Sequence, residues 1–308
     1  MFQGFQRAWL GCSALLALAW AGPAAAYCRT TTCSVKPTPA GCDEGQELRD
    51  PTTGCLTSGK PISWAPRCVS LSVQEAGSRK LGLDYAGAEA IVKTAFARWP
   101  AAQCSGGTPS IEVFSMGPLT CDLREYNSNG PNANAILFRD DAWEYDSRAI
   151  ALTTVRFNLS SGEIRGADME INTYGFDLNE QSLSYVVTHE AGHFLGLDHS
   201  PRPDAVMFSE YSVDNASSAA GTPKLSDDDI AGICAIYPPN RTAPATCDPE
   251  PDMGFASDCG GDVVASCSYP GAHSAHPSSW WLGLAGLVLL RRSRARTGFS
   301  ARAASDET

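Results

Sequence analysis

The residues best equipped for chemistry lie in one run, His189-Glu190-Ala191-Gly192-His193-Phe194-Leu195-Gly196-Leu197-Asp198-His199. Two histidines four apart stand one turn above each other on a single helix face. Both imidazoles can then reach one metal ion. Zinc takes nitrogen ligands at about 2.0–2.1 Å in a roughly tetrahedral set. Gly196 permits a positive φ, so the chain can leave the helix and turn back. His199 then arrives from the loop as a third ligand. Three histidines leave a fourth position open to water, the mark of a catalytic rather than a closed structural site. Glu190 neighbours a ligand without being one. Its carboxylate can take a proton from that water and pass it to a leaving amine. The five fixed positions of this pattern should coincide by chance on the order of once in 10⁵ chains of this length. Solvated histidines on a surface helix are therefore a poor account of them. The chain has five histidines, and the other two, His273 and His276, lie in a linker-like stretch.

These residues need a scaffold, and hydrophobic periodicity outlines one. Ser182 to Leu195 reads as the helix that carries the first two histidines, stopped at Gly196. Leu225 to Tyr237 reads as a second helix. Ser226 is its N-cap, Asp227, Asp228 and Asp229 fill its first turn, and Pro238-Pro239 ends it. An earlier helix is expected over Tyr85 to Trp99, ended by Pro100. Strands are expected at Cys68 to Gln74, Ile111 to Ser115 and Ala135 to Phe138. Ala149 to Asn158 and Glu163 to Asn172, separated by Ser160-Ser161-Gly162, form a hairpin candidate. This order implies an α/β fold.

Length and composition set the limits. The chain has 308 residues, 43% of them hydrophobic, which is enough for a sizeable core and too much for disorder. Its net charge of −11, from 34 acids and 23 bases, argues against a nucleic-acid partner. There are 12 cysteines. Met1 to Ala26 reads as a signal peptide: Arg7, an uncharged run from Ala8 to Trp20, then Ala24-Ala25-Ala26, so the mature chain would start at Tyr27. Cys12 leaves with it. Cys28, Cys33, Cys42, Cys55, Cys68, Cys104, Cys121, Cys234, Cys247 and Cys259 then form an even set, which in an exported chain reads as disulfides of undetermined pairing. Cys267 is the odd one. Five segments result: the signal peptide at 1–26, a Cys-rich segment at 27–66, the α/β domain at 67–238, a Pro- and Cys-containing linker at 239–279, and a tail at 280–308. In the tail, the short apolar run Trp280 to Leu290 precedes Arg291, Arg292, Arg294 and Arg296, the pattern of a membrane-held segment with a cytoplasmic end.

The run from His189 to His199 resembles the zinc signature of the metzincin endopeptidases, and Ser200 directly after it resembles the matrixin branch. Ala205-Val206-Met207-Phe208-Ser209-Glu210-Tyr211 is similar to the matrixin Met-turn. Leu225-Ser226, Asp229 to Ile233 and Tyr237 are similar to the terminal helix of a matrixin catalytic domain. Ala167 to Asn172 resembles the strand before the active-site helix. The resemblance covers about Arg67 to Pro238. It implies a metzincin-like fold: a twisted, mostly parallel sheet with an antiparallel edge strand, an active-site helix and a C-terminal helix. It implies one catalytic zinc on His189, His193 and His199, with Glu190 as the base, Met207 beneath the metal and Tyr211 walling the primed-side pocket. The implied activity is hydrolysis of a protein or peptide substrate. Mammalian matrixins also carry a histidine-bound structural zinc. This chain has no histidine before His189, so that site cannot exist in its usual form. Pro66-Arg67-Cys68 is superficially similar to the inhibitory cysteine segment of matrixin propeptides, but the rest of that motif is missing. Asp140, Asp141 and Asp177 have no calcium-ligand spacing, and whether calcium binds is left open.

The tail, with Cys267 ahead of it, resembles the myxobacterial C-terminal sorting signal. That resemblance implies transit to the cell surface or outer membrane of a Gram-negative bacterium, or release outside it, with membrane contact through 280–290. The sequence leaves the oligomeric state undetermined. The competing functional class is a surface adhesion or binding module with an idle zinc site, against which the intact Glu190 speaks.

Overall fold

The computed structural model describes residues 26–34, 42, 48–124, 126–209, 223–242 and 246–258, together with the backbone of 302–306. Among these residues, eight strands and three helices are defined: β1 Cys28–Arg29, β2 Cys68–Gln74, α1 Tyr85–Ala97, β3 Glu112–Leu119, β4 Ala135–Phe138, β5 Ala151–Asn158, β6 Ile164–Ile171, α2 Glu180–Phe194, β7 Leu197–Asp198, α3 Asp227–Ile236 and β8 Arg302–Asp306.

The main sheet has the order β3-β2-β4-β6-β5-β8. The pairings β2 with β3, β2 with β4 and β4 with β6 are parallel. β5 joins antiparallel to β6, with Thr153 opposite Met169. The expected hairpin is therefore present, and Gly162 makes its turn at φ +79°. The backbone of β8 runs parallel along the outer side of β5, Thr154 opposite Arg302. The sheet is the mostly parallel one with an antiparallel strand that the resemblance implied. Segment 280–290 lies outside the described residues. Among the described residues, no helix is long and apolar enough to cross a membrane.

The helices start where side chains can accept the free amides of a first turn. Asp84 accepts from Gly87 N, Asn179 from Ser182 N and Ser226 from Asp229 N. α1 and α2 cover one face of the sheet. Val69, Leu71 and Val73 of β2 and Val155 and Phe157 of β5 bury there with Val92 and Phe96 of α1, Trp99 just beyond it, and Val186, Val187 and Phe194 of α2. Such apolar burial is the main source of the fold's stability.

The other face is partly polar. Leu119, Ala133, Ala135 and Leu137 form a small apolar cluster with Phe255 against it. Beside them Arg139 Nε donates to Glu170 Oε1 at 2.8 Å and the Tyr145 hydroxyl donates to Oε2 at 2.9 Å. Asp168 lies on the same face of β6, two residues away. It is 4% exposed, and Ala135 N donates to its Oδ1 at 2.8 Å. Burial pushes its carboxyl up to about 7, against the pull of Arg156 and Arg124.

Disulfides join Cys28 to Cys55, Cys33 to Cys42, Cys68 to Cys247 and Cys104 to Cys234. Cys121 is also disulfide-bonded. The Cys68 thiol is thus consumed in a staple. Residues 246–258, in the stretch read as a linker, pack on the domain: Ala256 N donates to Asn132 O at 2.9 Å and Arg165 pairs with Asp252 at 2.6 Å.

Candidate metal centre

α2 ends one residue before Leu195, and Gly196 turns the chain at φ +97°. A Cβ at Gly196 would stand 2.7 Å from the Ile62 carbonyl oxygen, so glycine is required both for the angle and for the approach. The turn delivers His199 to the two helical histidines. His193 Nε2 lies 3.2 Å from His189 Nε2 and 3.2 Å from His199 Nε2. Nitrogens bound to one tetrahedral zinc would stand about 3.3 Å apart, given Zn–N bonds of about 2.0–2.1 Å. The two separations match that spacing, and ligand atoms of all three imidazoles lie within 4.8 Å of one another, so the set can hold one ion.

Their outer nitrogens are fixed as well. His189 Nδ1 donates to Val206 O at 2.6 Å, and His193 Nδ1 donates to Leu197 O at 2.9 Å. Each bond leaves the Nε2 lone pair aimed inward, the usual carbonyl support of a metal-bound imidazole. Burial, with help from His193, pushes His189 down to about 3. Burial and the two neighbouring rings push His199 down to about 2. Both are neutral at pH 7, the form that binds metal.

Glu190 is 1% exposed and projects from the same turn of α2. The Thr153 hydroxyl on β5 donates to its Oε2 at 2.7 Å. Burial pushes the Glu190 carboxyl up, opposed by His193 and by this hydroxyl. A carboxyl held beside a histidine triad is placed to accept a proton there.

Residues 123–238 match the family described as Matrixin. These residues are a matrixin domain. Over 58 residues the chain is 45% identical to "Matrix metalloproteinase-9" of Canis lupus familiaris, covering 19% of this chain and 7% of that protein. Over 91 residues it is 34% identical to "Neutrophil collagenase" of Homo sapiens, covering 27% of this chain and 19% of that protein. The chain therefore spans only a small part of either relative.

Within the matrixin domain, Met207 is 2% exposed and lies under α2. A Cβ at Gly192 would collide with Met207 Sδ and come within 2.9 Å of Trp99. The glycine between the first two histidines is what lets Met207 pack against this turn of α2. Tyr211 lies outside the described residues.

Asp229 is a contributor that periodicity alone hides. Beyond its capping role in α3, it accepts from Val206 N at 2.8 Å and Met207 N at 3.1 Å. It therefore holds both Val206, the carbonyl partner of His189, and Met207. Asp228 accepts from the Ser200 hydroxyl at 2.6 Å. Thr153 had no signal beyond its strand. Its register opposite the metal helix emerges only from sheet pairing.

The acids considered for calcium have protein partners. Asp140 Oδ1 accepts from the Ser78 and Thr173 hydroxyls, Asp141 pairs with Arg79, and Asp177 with Lys80. Among the described residues, a second cluster close enough to hold a metal is Cys68, Glu112 and Cys247, whose two thiols form a disulfide.

Proposed function

We propose that this chain is a zinc-dependent endopeptidase that cuts protein or peptide substrates with one catalytic zinc and Glu190 as general base. The observation that carries the reading is the convergence of three Nε2 atoms at zinc spacing beside a buried, hydroxyl-anchored carboxylate. His189, His193 and His199 would hold the ion. When bound, zinc supplies Lewis acidity toward the scissile carbonyl and acidifies a water at its open position. Glu190 accepts a proton from the attacking water and returns it to the departing amine as the peptide bond breaks. Thr153 holds one carboxylate oxygen, leaving the other for the water. An extended substrate laid along β5 would take the main-chain hydrogen-bonding positions that β8 occupies.

The reading includes export. It draws on the leader-like start, on the apolar and arginine-rich tail, and on disulfides that suit an oxidising compartment. A surface-attached or released form is proposed on that basis. Mass spectrometry of the exported fraction should find an N-terminus at Tyr27.

The enzyme reading is tested with Glu190→Gln. The variant should retain stoichiometric zinc yet lose cleavage of casein by about 10²–10⁴-fold. Full activity in the variant would refute the base assignment. Wild type that binds zinc and a protein partner without cutting it would point to the adhesion module instead.

A further inference from the structure

The last carbonyls of a helix and of the turn beyond it have no amides of their own helix to accept from. Here they are met from outside. The Trp64 indole donates to Phe194 O at 2.9 Å and the Tyr237 hydroxyl donates to Leu195 O at 2.9 Å. Thr30 takes the next two. Its amide donates to Gly196 O at 3.1 Å and its hydroxyl to Leu197 O at 3.0 Å. Leu197 O is the same atom that accepts from His193 Nδ1. A residue of the N-terminal segment and a metal-ligand histidine thus share one acceptor.

The contact is built, not incidental. Thr30 is 5% exposed. β1, just before it, pairs antiparallel with β7, Cys28 opposite Asp198 and Arg29 opposite Leu197, so the ribbon ends one residue short of His199. The Cys28–Cys55 disulfide ties β1 back to its own segment. Thr30, β1 and the Cys28–Cys55 bond lie outside residues 123–238, the span of the matrixin match, whereas β7 and the histidines lie within it.

We propose that Thr30 is a positioning residue for the metal centre, and that the cystine-stapled segment exists in part to hold it there. By fixing the Leu197 carbonyl it sets the ring of His193 and the turn that delivers His199. The inference rests on the zinc reading of the three imidazoles. It predicts that metal affinity depends on a segment that contributes no ligand.

The test uses the purified full chain stripped of metal, with Co²⁺ as the probe, read by its visible absorption and by competition against a chelator. Thr30→Val should weaken Co²⁺ binding by about tenfold or more and alter the absorption bands, as loss of an outer-sphere partner does. Thr30→Ser, which keeps the hydroxyl, should restore both. Thr57→Val, which removes a hydroxyl donated to Leu48 O elsewhere in the segment, should leave both unchanged. If Thr30→Val does not fold, the pair Cys28→Ser with Cys55→Ser replaces it and should weaken binding with the metal-free circular dichroism preserved. Wild-type affinity in Thr30→Val or in the cysteine pair would overturn the proposal, as would failure of Thr30→Ser to restore binding. A wild type that takes up no Co²⁺ would instead sink the underlying zinc reading.

Discussion

The Thr153 hydroxyl on β5 donates to Glu190 Oε2 on α2 at 2.7 Å, with both residues fully enclosed. One carboxylate oxygen is thereby held, and the group can swing little. Hydrogen bonds to charged groups contribute about 1.5–3 kcal/mol. Thr153→Val should therefore lower kcat by about tenfold to a hundredfold with little change in KM, and Thr153→Ser should recover most of the loss. Steady-state kinetics on a quenched fluorescent peptide would show this. An unchanged kcat in the valine variant would remove Thr153 from the mechanism.

Gly192 has no space for a side chain above Met207 and Trp99. Gly192→Ala should cost about 1–3 kcal/mol by overpacking. Thermal unfolding of the metal-free chain should register this as a lower Tm. A Tm within error of wild type would mean that the Met207 side chain yields easily.

Asp168 titrates high, at about 7, against 3.8 for the free side chain, because it is buried. A carboxyl whose folded pKa is raised binds its proton more tightly in the folded state. Its contribution to stability is therefore full below about pH 3.8 and is lost as pH rises through about 7. Asp168→Asn keeps an acceptor for Ala135 N without the charge. Relative to wild type, the variant should gain stability steadily between pH 4 and pH 8. Urea titrations across that range would reveal the trend, and a constant difference would contradict the assignment.

β8 pairs along the side of β5 where an extended substrate would bind. Deleting residues 302–308 should lower KM for a long peptide several-fold while leaving kcat alone. Equal KM values for the two forms would mean that β8 does not compete.

Much of this was legible from residue order. β2 and β4 lie where alternation and short apolar runs placed them, and α2 differs from its expected span by two residues at its start and one at its end. The histidine run could be read because a helix repeat fixes the geometry of its first two members and Gly196 announces the turn to the third. Met207 and Tyr211 were visible only through resemblance, since a methionine or tyrosine in a loop has no spacing signature of its own. Thr153, Asp229 and Thr30 were not legible. Each acts across a large sequence separation, through a register that no local pattern encodes: 37 residues for Thr153 to Glu190, 23 for Asp229 to Val206 and 167 for Thr30 to Leu197. Asp229 illustrates the limit well. Its place in the first turn of α3 accounts for an acid there, so nothing in the sequence asked for a second duty.

The Cys68–Cys247 and Cys104–Cys234 bonds enclose 179 and 130 positions of chain, one loop inside the other. Any single backbone break between Cys104 and Cys234 leaves two fragments tied together at two points. A nick there is a wound that does not part the molecule. Such damage would be seen on a gel only after a reductant had opened both ties.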